Sequence, residues 1–151
     1  MSCVLVSDAA ARLLVFSLGD ERFAVPLAAV DEVIEMPPVQ RLPDASTEVL
    51  GIATLRGELV SIYDPRSVLH AGAADYGAAL LFTTGNRRVG IAINDFFDPI
   101  LIEAHELRPA PGMDAADGML KGVVRRGTNL IGILDAGALL TMLSATEGEN
   151  E

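Results

Sequence analysis

The chain carries one short pattern twice. Residues 14–22 (LVFSLGDER) align with residues 80–88 (LLFTTGNRR) at an offset of 66, with the first Leu, the Phe, the Gly and the last Arg identical. Farther along, Arg56-Gly57 matches Arg126-Gly127 at an offset of 70, and residues 59–64 (LVSIYD) match residues 130–135 (LIGILD) at an offset of 71. Two matching pieces in the same order predict two copies of one unit, each of roughly 60 residues, near the lower size at which a core stands alone. The copies are therefore expected to share an apolar seam rather than to fold separately. The competing explanation is local: hairpins turning on Gly resemble one another because few residues suit their turns.

Both copies read as β-structure. Short apolar runs at 13–18, 22–27, 49–55, 58–63, 78–83, 87–93, 120–124 and 129–134 are separated by Gly-containing turns, the spacing of small barrels or a sandwich. Gly19-Asp20, Arg56-Gly57, Gly85-Asn86 and Gly127-Thr128 sit between paired runs, where Gly19, Gly57, Gly85 and Gly127 supply the positive φ of hairpin turns. Residues 27–34 (LAAVDEVI) space Leu27, Val30, Val33 and Ile34 as a short amphipathic helical turn that Pro37-Pro38 must end. Residues 136–143 predict a short C-terminal helix, followed by a frayed acidic tail over 144–151. A break between the copies is expected in the Gly- and Ala-rich stretch 71–79.

Composition removes several classes of function. With 21 Asp and Glu against 11 Lys and Arg, the net charge of −10 opposes a phosphate backbone, so nucleic acid is not an expected partner. No apolar run approaches the ~20 residues of a membrane-spanning helix, and the leader 1–12 lacks the basic start of a secretory signal, so a cytoplasmic protein is expected. Cys3 is alone and cannot close an internal disulfide. His70 and His105 stand far apart without a ligand-spaced cluster, so neither metal nor cofactor is expected. Asn94, Asp95 and Asp98 carry ligand-like oxygens, but carboxylates in a turn are normally solvated. No nucleotide-binding or nucleophile motif occurs, so the chain is not expected to be an enzyme.

The segments LVFSLGDERFAVPLAAVDEVI, GIATLRGELVSIYDPR, VGIAIND and IGILDAGALL occur here in the order seen in the CheW-like family of bacterial chemotaxis coupling proteins, which the chain resembles from about Leu13 to Leu143. The resemblance implies an all-β fold of two packed five-stranded SH3-like barrels, with short helical turns and a short C-terminal helix. It implies a single domain over 13–143, with subdomains near 13–72 and 78–143 that can exchange strands. It also implies a non-enzymatic scaffold joining the cytoplasmic tip of a chemoreceptor to the regulatory domain of a CheA-type histidine kinase, monomeric when isolated and recruited to receptor arrays. Thr54, Ser61, Pro65 and Ile93-Asn94 depart from the family's usual residues, which keeps open a variant adaptor outside flagellar control. A sensor binding a small ligand in the cleft between barrels is the alternative from another class.

Residues for the site follow from the same resemblance. Arg56 matches the family's receptor-contact arginine, and a guanidinium on a tight turn presents a fixed fork of donors to a facing helix. The other reading is a turn arginine chosen for solubility or for pairing with Glu58. Val30 and Val33 either form an apolar edge that receives a receptor helix or belong to the core. Phe96 and Phe97 either pack beneath a barrel or contact the kinase.

Overall fold

The structure, a computed structural model, describes residues 11–41, 49–69, 75–109 and 119–148. Cys3, His70, most of the leader 1–12, part of the 71–79 break and the end of the tail lie outside the described residues. Ten strands run in chain order among the described residues: β1 (Ala11–Leu18), β2 (Glu21–Pro26), β3 (Glu32–Glu35), β4 (Val49–Leu55), β5 (Glu58–Tyr63), β6 (Ala78–Thr84), β7 (Arg87–Ile93), β8 (Asp95–Ile102), β9 (Leu120–Arg126) and β10 (Asn129–Leu134). Two helices follow strand ends, α1 (Arg66–Leu69) after β5 and α2 (Ala136–Gly148) after β10. β1 starts inside the expected leader, and α2 extends past Leu143 to Gly148. No helix among the described residues is long and apolar enough to cross a membrane.

The strands form two five-stranded sheets, ordered β8-β1-β2-β10-β9 and β3-β6-β7-β5-β4. Advancing each strand by five places, with ten followed by one, converts the first sheet into the second. The internal repeat is thus real at the level of pairing. The parallel pairs Phe23↔Gly132 and Ala24↔Ile133 recur as Val89↔Ser61 and Gly90↔Ile62, at the offsets read from the sequence. Each sheet nevertheless takes strands from both halves of the chain, because the β1–β2 hairpin sits among the late strands and the β6–β7 hairpin among the early ones.

Each sheet curls until its edges meet. Gln40, beyond β3, exchanges two 2.9 Å backbone hydrogen bonds with Ile52 of β4. Arg108, beyond β8, does the same with Val123 of β9 at 2.9 and 2.7 Å. Gly precedes the β-residue at both closures: a Cβ on Gly51 would lie 2.4 Å from the Gln40 carbonyl oxygen, and one on Gly122 would lie 2.7 Å from that of Arg108. These two glycines are required by close backbone approach.

Three apolar clusters follow from this curvature. Leu13, Val15, Ile131 and Ile133 fill the first sheet, Val60, Ile62, Leu81 and Ala92 fill the second, and Leu14, Phe16, Leu80 and Phe82 meet in the seam with Leu139 and Leu143 of α2. Alternate side chains of β1 and β6 thus enter a sheet interior and the seam, which explains why these strands are hydrophobic on both faces.

Two expectations fail. Only Leu27–Ala29 of residues 27–34 is helical, as a single 3-10 turn, and Val33 and Ile34 lie in β3. The Asp31 N–H bonds to the Leu81 carbonyl at 2.8 Å and delivers the chain to the edge of β6, where paired β-branched residues outcompete a short isolated helix. Asp95 and Asp98, expected in a turn, lie instead in β8, on the edge of β1. Pro99 is tolerated there because Asp98 and Pro99 together face Leu14 in a β-bulge, where no ladder N–H is needed.

Candidate protein-interaction site

The β4–β5 turn is built from two residues of positive φ, Arg56 at 50° and Gly57 at 82°. Both central positions of a type I′ hairpin turn require this. Gly57 was the expected bearer of the backbone demand, yet Arg56 shares it. The turns at Gly19, Gly85 and Gly127 place only their glycine at positive φ, 61°, 63° and 62°. An arginine in the left-handed region is a strained choice.

Arg56 hydrogen-bonds to Glu32, with only a weaker charge attraction from Glu58. Its Nη2 donates to Glu32 Oε2 at 2.5 Å, and Glu32 Oε1 lies 3.6 Å from Arg88 Nη1. The hydrogen bond to Glu32, then the charge of the same carboxylate, raises the Arg56 guanidinium above its ordinary value. Glu32 stands opposite Leu81, whose side chain is in the interior of the second sheet, so the carboxylate faces the open mouth of that sheet. Arg56 arrives from the β4–β5 hairpin and Arg88 from β7. Asp31 accepts a hydrogen bond from the Thr83 hydroxyl beside this group. The side chain of Arg56 is 67% exposed, whereas Glu32 and Arg88 are 35% and 27% exposed.

Val30 and Val33 are half-buried and pack against the seam cluster. Val33 follows Glu32 on β3 and points to the opposite face. The structure therefore brings Arg56, Val30 and Val33 to the start of one strand without joining them into one patch. Phe96 and Phe97 lie in the other sheet. Phe97 packs on its interior beneath the Arg22 guanidinium, 4.3 Å from the ring centroid, while Phe96 is 45% exposed. Asn94 is used structurally: its side-chain oxygen accepts from the Gly19 N–H at 2.7 Å and its amide donates to the Asp75 carbonyl at 2.9 Å. No cluster of metal-ligating side chains occurs among the described residues.

A second polar group secures the end of β5. Asp64, buried, accepts from the Arg66 backbone N–H at 3.0 Å, from Arg66 Nη2 at 2.8 Å and from the Tyr76 hydroxyl. Burial alone would raise the Asp64 carboxyl, but hydrogen bonds from Arg66 and Tyr76 outweigh it and hold the carboxyl below its ordinary value. Burial, then the hydrogen bond to Asp64, raises Tyr76. The equivalent residue of the second copy, Asp135, accepts from the Ala138 N–H at 3.1 Å, capping α2.

Sequence reasoning missed Glu32 and Arg88. The alignment of the copies held a signal for Arg88, since Arg22 and Arg88 occupy its last identical position. Nothing local marked Glu32, which reaches Arg56 only through the curl of the sheet.

Two five-stranded curled sheets with exchanged hairpins, an apolar seam, and polar clusters at strand ends define a small all-β module. The CheW-like domain model matches residues 12–144, and the chain belongs to that family. It is 26% identical to the chemotaxis protein CheW of Treponema pallidum over 86% of this chain and 82% of that one. It is 31% identical to the protein FrzA of Myxococcus xanthus over 76% of this chain and 74% of that one. The crystal structure of the scaffolding protein TtCheW from Thermoanaerobacter tengcongensis superimposes with a TM-score of 0.72 at 19% identity, covering 83% of this chain and 88% of that one.

Proposed function

We propose that this chain is a non-enzymatic scaffold of a chemosensory pathway. It couples the cytoplasmic tip of a chemoreceptor to the regulatory domain of a CheA-type histidine kinase, acts in the cytoplasm at receptor arrays, and uses residues 13–143 as its working unit. The observation that carries the receptor side is the Arg56 turn: an exposed guanidinium held on a rigid hairpin, with donors left beyond the one used by Glu32. Val30 and Val33, on the seam side of the same strand start, supply a separate apolar edge for the receptor helix, and the exposed Phe96 of β8 supplies a contact for the kinase, with Phe97 anchoring the same strand on its opposite, interior face. Coupling then follows from holding two partners in a fixed relation, so that a receptor shift alters the kinase's active population by its differential contact energy.

The test is co-sedimentation of the full chain with a receptor-tip fragment and, separately, with the kinase regulatory domain. Both partners should bind. Arg56→Ala should weaken the receptor fragment about thirtyfold and the kinase domain less than twofold. Parent-like receptor binding by that variant would remove the receptor site, and no binding of either partner by the parent would end the scaffold reading.

A further inference from the structure

Glu32 is shared between two arginines, and its two oxygens are used differently. Oε2 takes the short 2.5 Å hydrogen bond from exposed Arg56, while Oε1 faces Arg88 at 3.6 Å, close enough for attraction and not yet a hydrogen bond. We propose that Arg88 is a positioning residue that takes over Glu32 when a partner's carboxylate claims Arg56. This rests on the reading of Arg56 as the receptor contact.

The chemistry requires such a group. Glu32 holds one donor of the Arg56 fork, so a carboxylate on the incoming helix that takes both arms of the fork in bidentate fashion displaces a charge-assisted hydrogen bond. Displacement would leave Glu32 facing that second carboxylate at close range, with like charges opposing docking. Glu32 cannot withdraw with its strand. Asp31 is fixed by its 2.8 Å backbone bond to Leu81 and by the Thr83 hydroxyl, and Glu32 itself is paired with Leu81. Arg88 stands across the same mouth on β7, is less exposed than Arg56, and needs to shorten its contact by only about half an ångström to reach hydrogen-bond distance. Its counterpart in the other copy, Arg22, is committed to the face of Phe97. Arg88 thus occupies a position whose side chain crosses a sheet mouth in both copies, and only in this one does it meet an acid.

The experiment measures affinity of the full chain for a purified receptor-tip fragment, together with thermal melting. Arg88→Ala should weaken binding five- to tenfold while melting within about 2 °C of the parent. In a Glu32→Gln background, where no charge is left to be taken over, the same substitution should change affinity less than twofold. Arg88→Lys, which restores the positive charge, should bind within about twofold of the parent. Parent-like binding by Arg88→Ala overturns the proposal. A loss that persists undiminished with Glu32→Gln also overturns it, since Arg88 would then touch the partner directly. Arg56→Ala separates the two levels of reading: if it binds like the parent, the receptor assignment of Arg56 fails and the hand-over fails with it, whereas its expected loss beside a neutral Arg88→Ala sinks the hand-over alone.

Discussion

The mouths of the two sheets are equivalent by topology, and each holds an arginine–glutamate pair, but the two pairs are anchored differently. In the second sheet, Arg56 at the β4–β5 turn reaches Glu32 with one short bond from an exposed position. In the first, the matching Arg126 at the end of β9 donates to Glu106 at 2.5 Å and to the Leu101 carbonyl at 2.6 Å, with Glu106 itself fixed in a capping box with Glu103. That hydrogen bond from Arg126, before other causes, holds Glu106 below the usual carboxylate range. Where Glu32 meets Arg88, the first sheet stacks Phe97 under Arg22. Duplication kept the backbone and released the side chains. One mouth became a locked closure, and the other kept a donor facing outward.

The largest effects are expected where the copies remain alike. Gly51→Ala and Gly122→Ala each force a Cβ into a backbone carbonyl at a closing bridge, and each should cost about 3 kcal/mol or more, seen as a melting temperature lower by at least about 6 °C. A variant that melts like the parent would show that its sheet closes without that contact. Next come the paired arginines. Arg126→Ala should lower the melting temperature by about 4 °C or more with receptor affinity kept, whereas Arg56→Ala should lower affinity about thirtyfold and melt within about 2 °C of the parent. Arg56→Gly should lose affinity equally yet melt slightly later, because glycine relieves the left-handed backbone. Identical behaviour of the two Ala variants would erase the contrast between the mouths.

A smaller contrast separates Asp64 from Asp135. The Asp64 carboxyl lies below its ordinary value in the fold, so its contribution is present above its unfolded-state pKa of about 3.9 and is lost as the pH falls through the lower folded value. Asp64→Asn should cost about 2 kcal/mol in neutral solution by denaturant titration, and the gap from the parent should close as the pH falls below about 4. Asp135→Asn, which can keep its helix cap, should cost less than half as much. A gap for Asp64→Asn that stays constant down to pH 3 would contradict the ion pair with Arg66. The smallest effect belongs to Leu59 and Leu130, equivalent leucines that both stand exposed. Either one changed to Ser should alter stability by less than about 0.5 kcal/mol.

The four hairpins were legible because each turn is a local decision: a Gly between two β-rich runs already fixes both the turn and its register. β3 and β8 were not legible, since both are edge strands whose conformation depends on a partner distant in sequence. Their local signals, the helical spacing from Leu27 and the proline at Pro99, point elsewhere. Arg56 was legible as an arginine on a turn, and the family resemblance singled it out. Its partner Glu32 is 24 positions away and adjoins it only after a sheet edge curls round to meet the other. Side chains that act through closure carry no signature in either segment alone.

The exchanged hairpins bear on the order in which the chain can mature. During synthesis from the N-terminus, β1 and β2 pair with each other at once, but both outer flanks of that hairpin wait for β8 and β10. β3 and the free edge of the β4–β5 hairpin wait in turn for the hairpin of β6 and β7. Neither sheet can be completed by the early half of the chain, so the nascent protein holds apolar strands with open edges until its last strands emerge. A ribosome stalled after Tyr63 would carry no finished unit, and the two copies, though related, reach maturity as one.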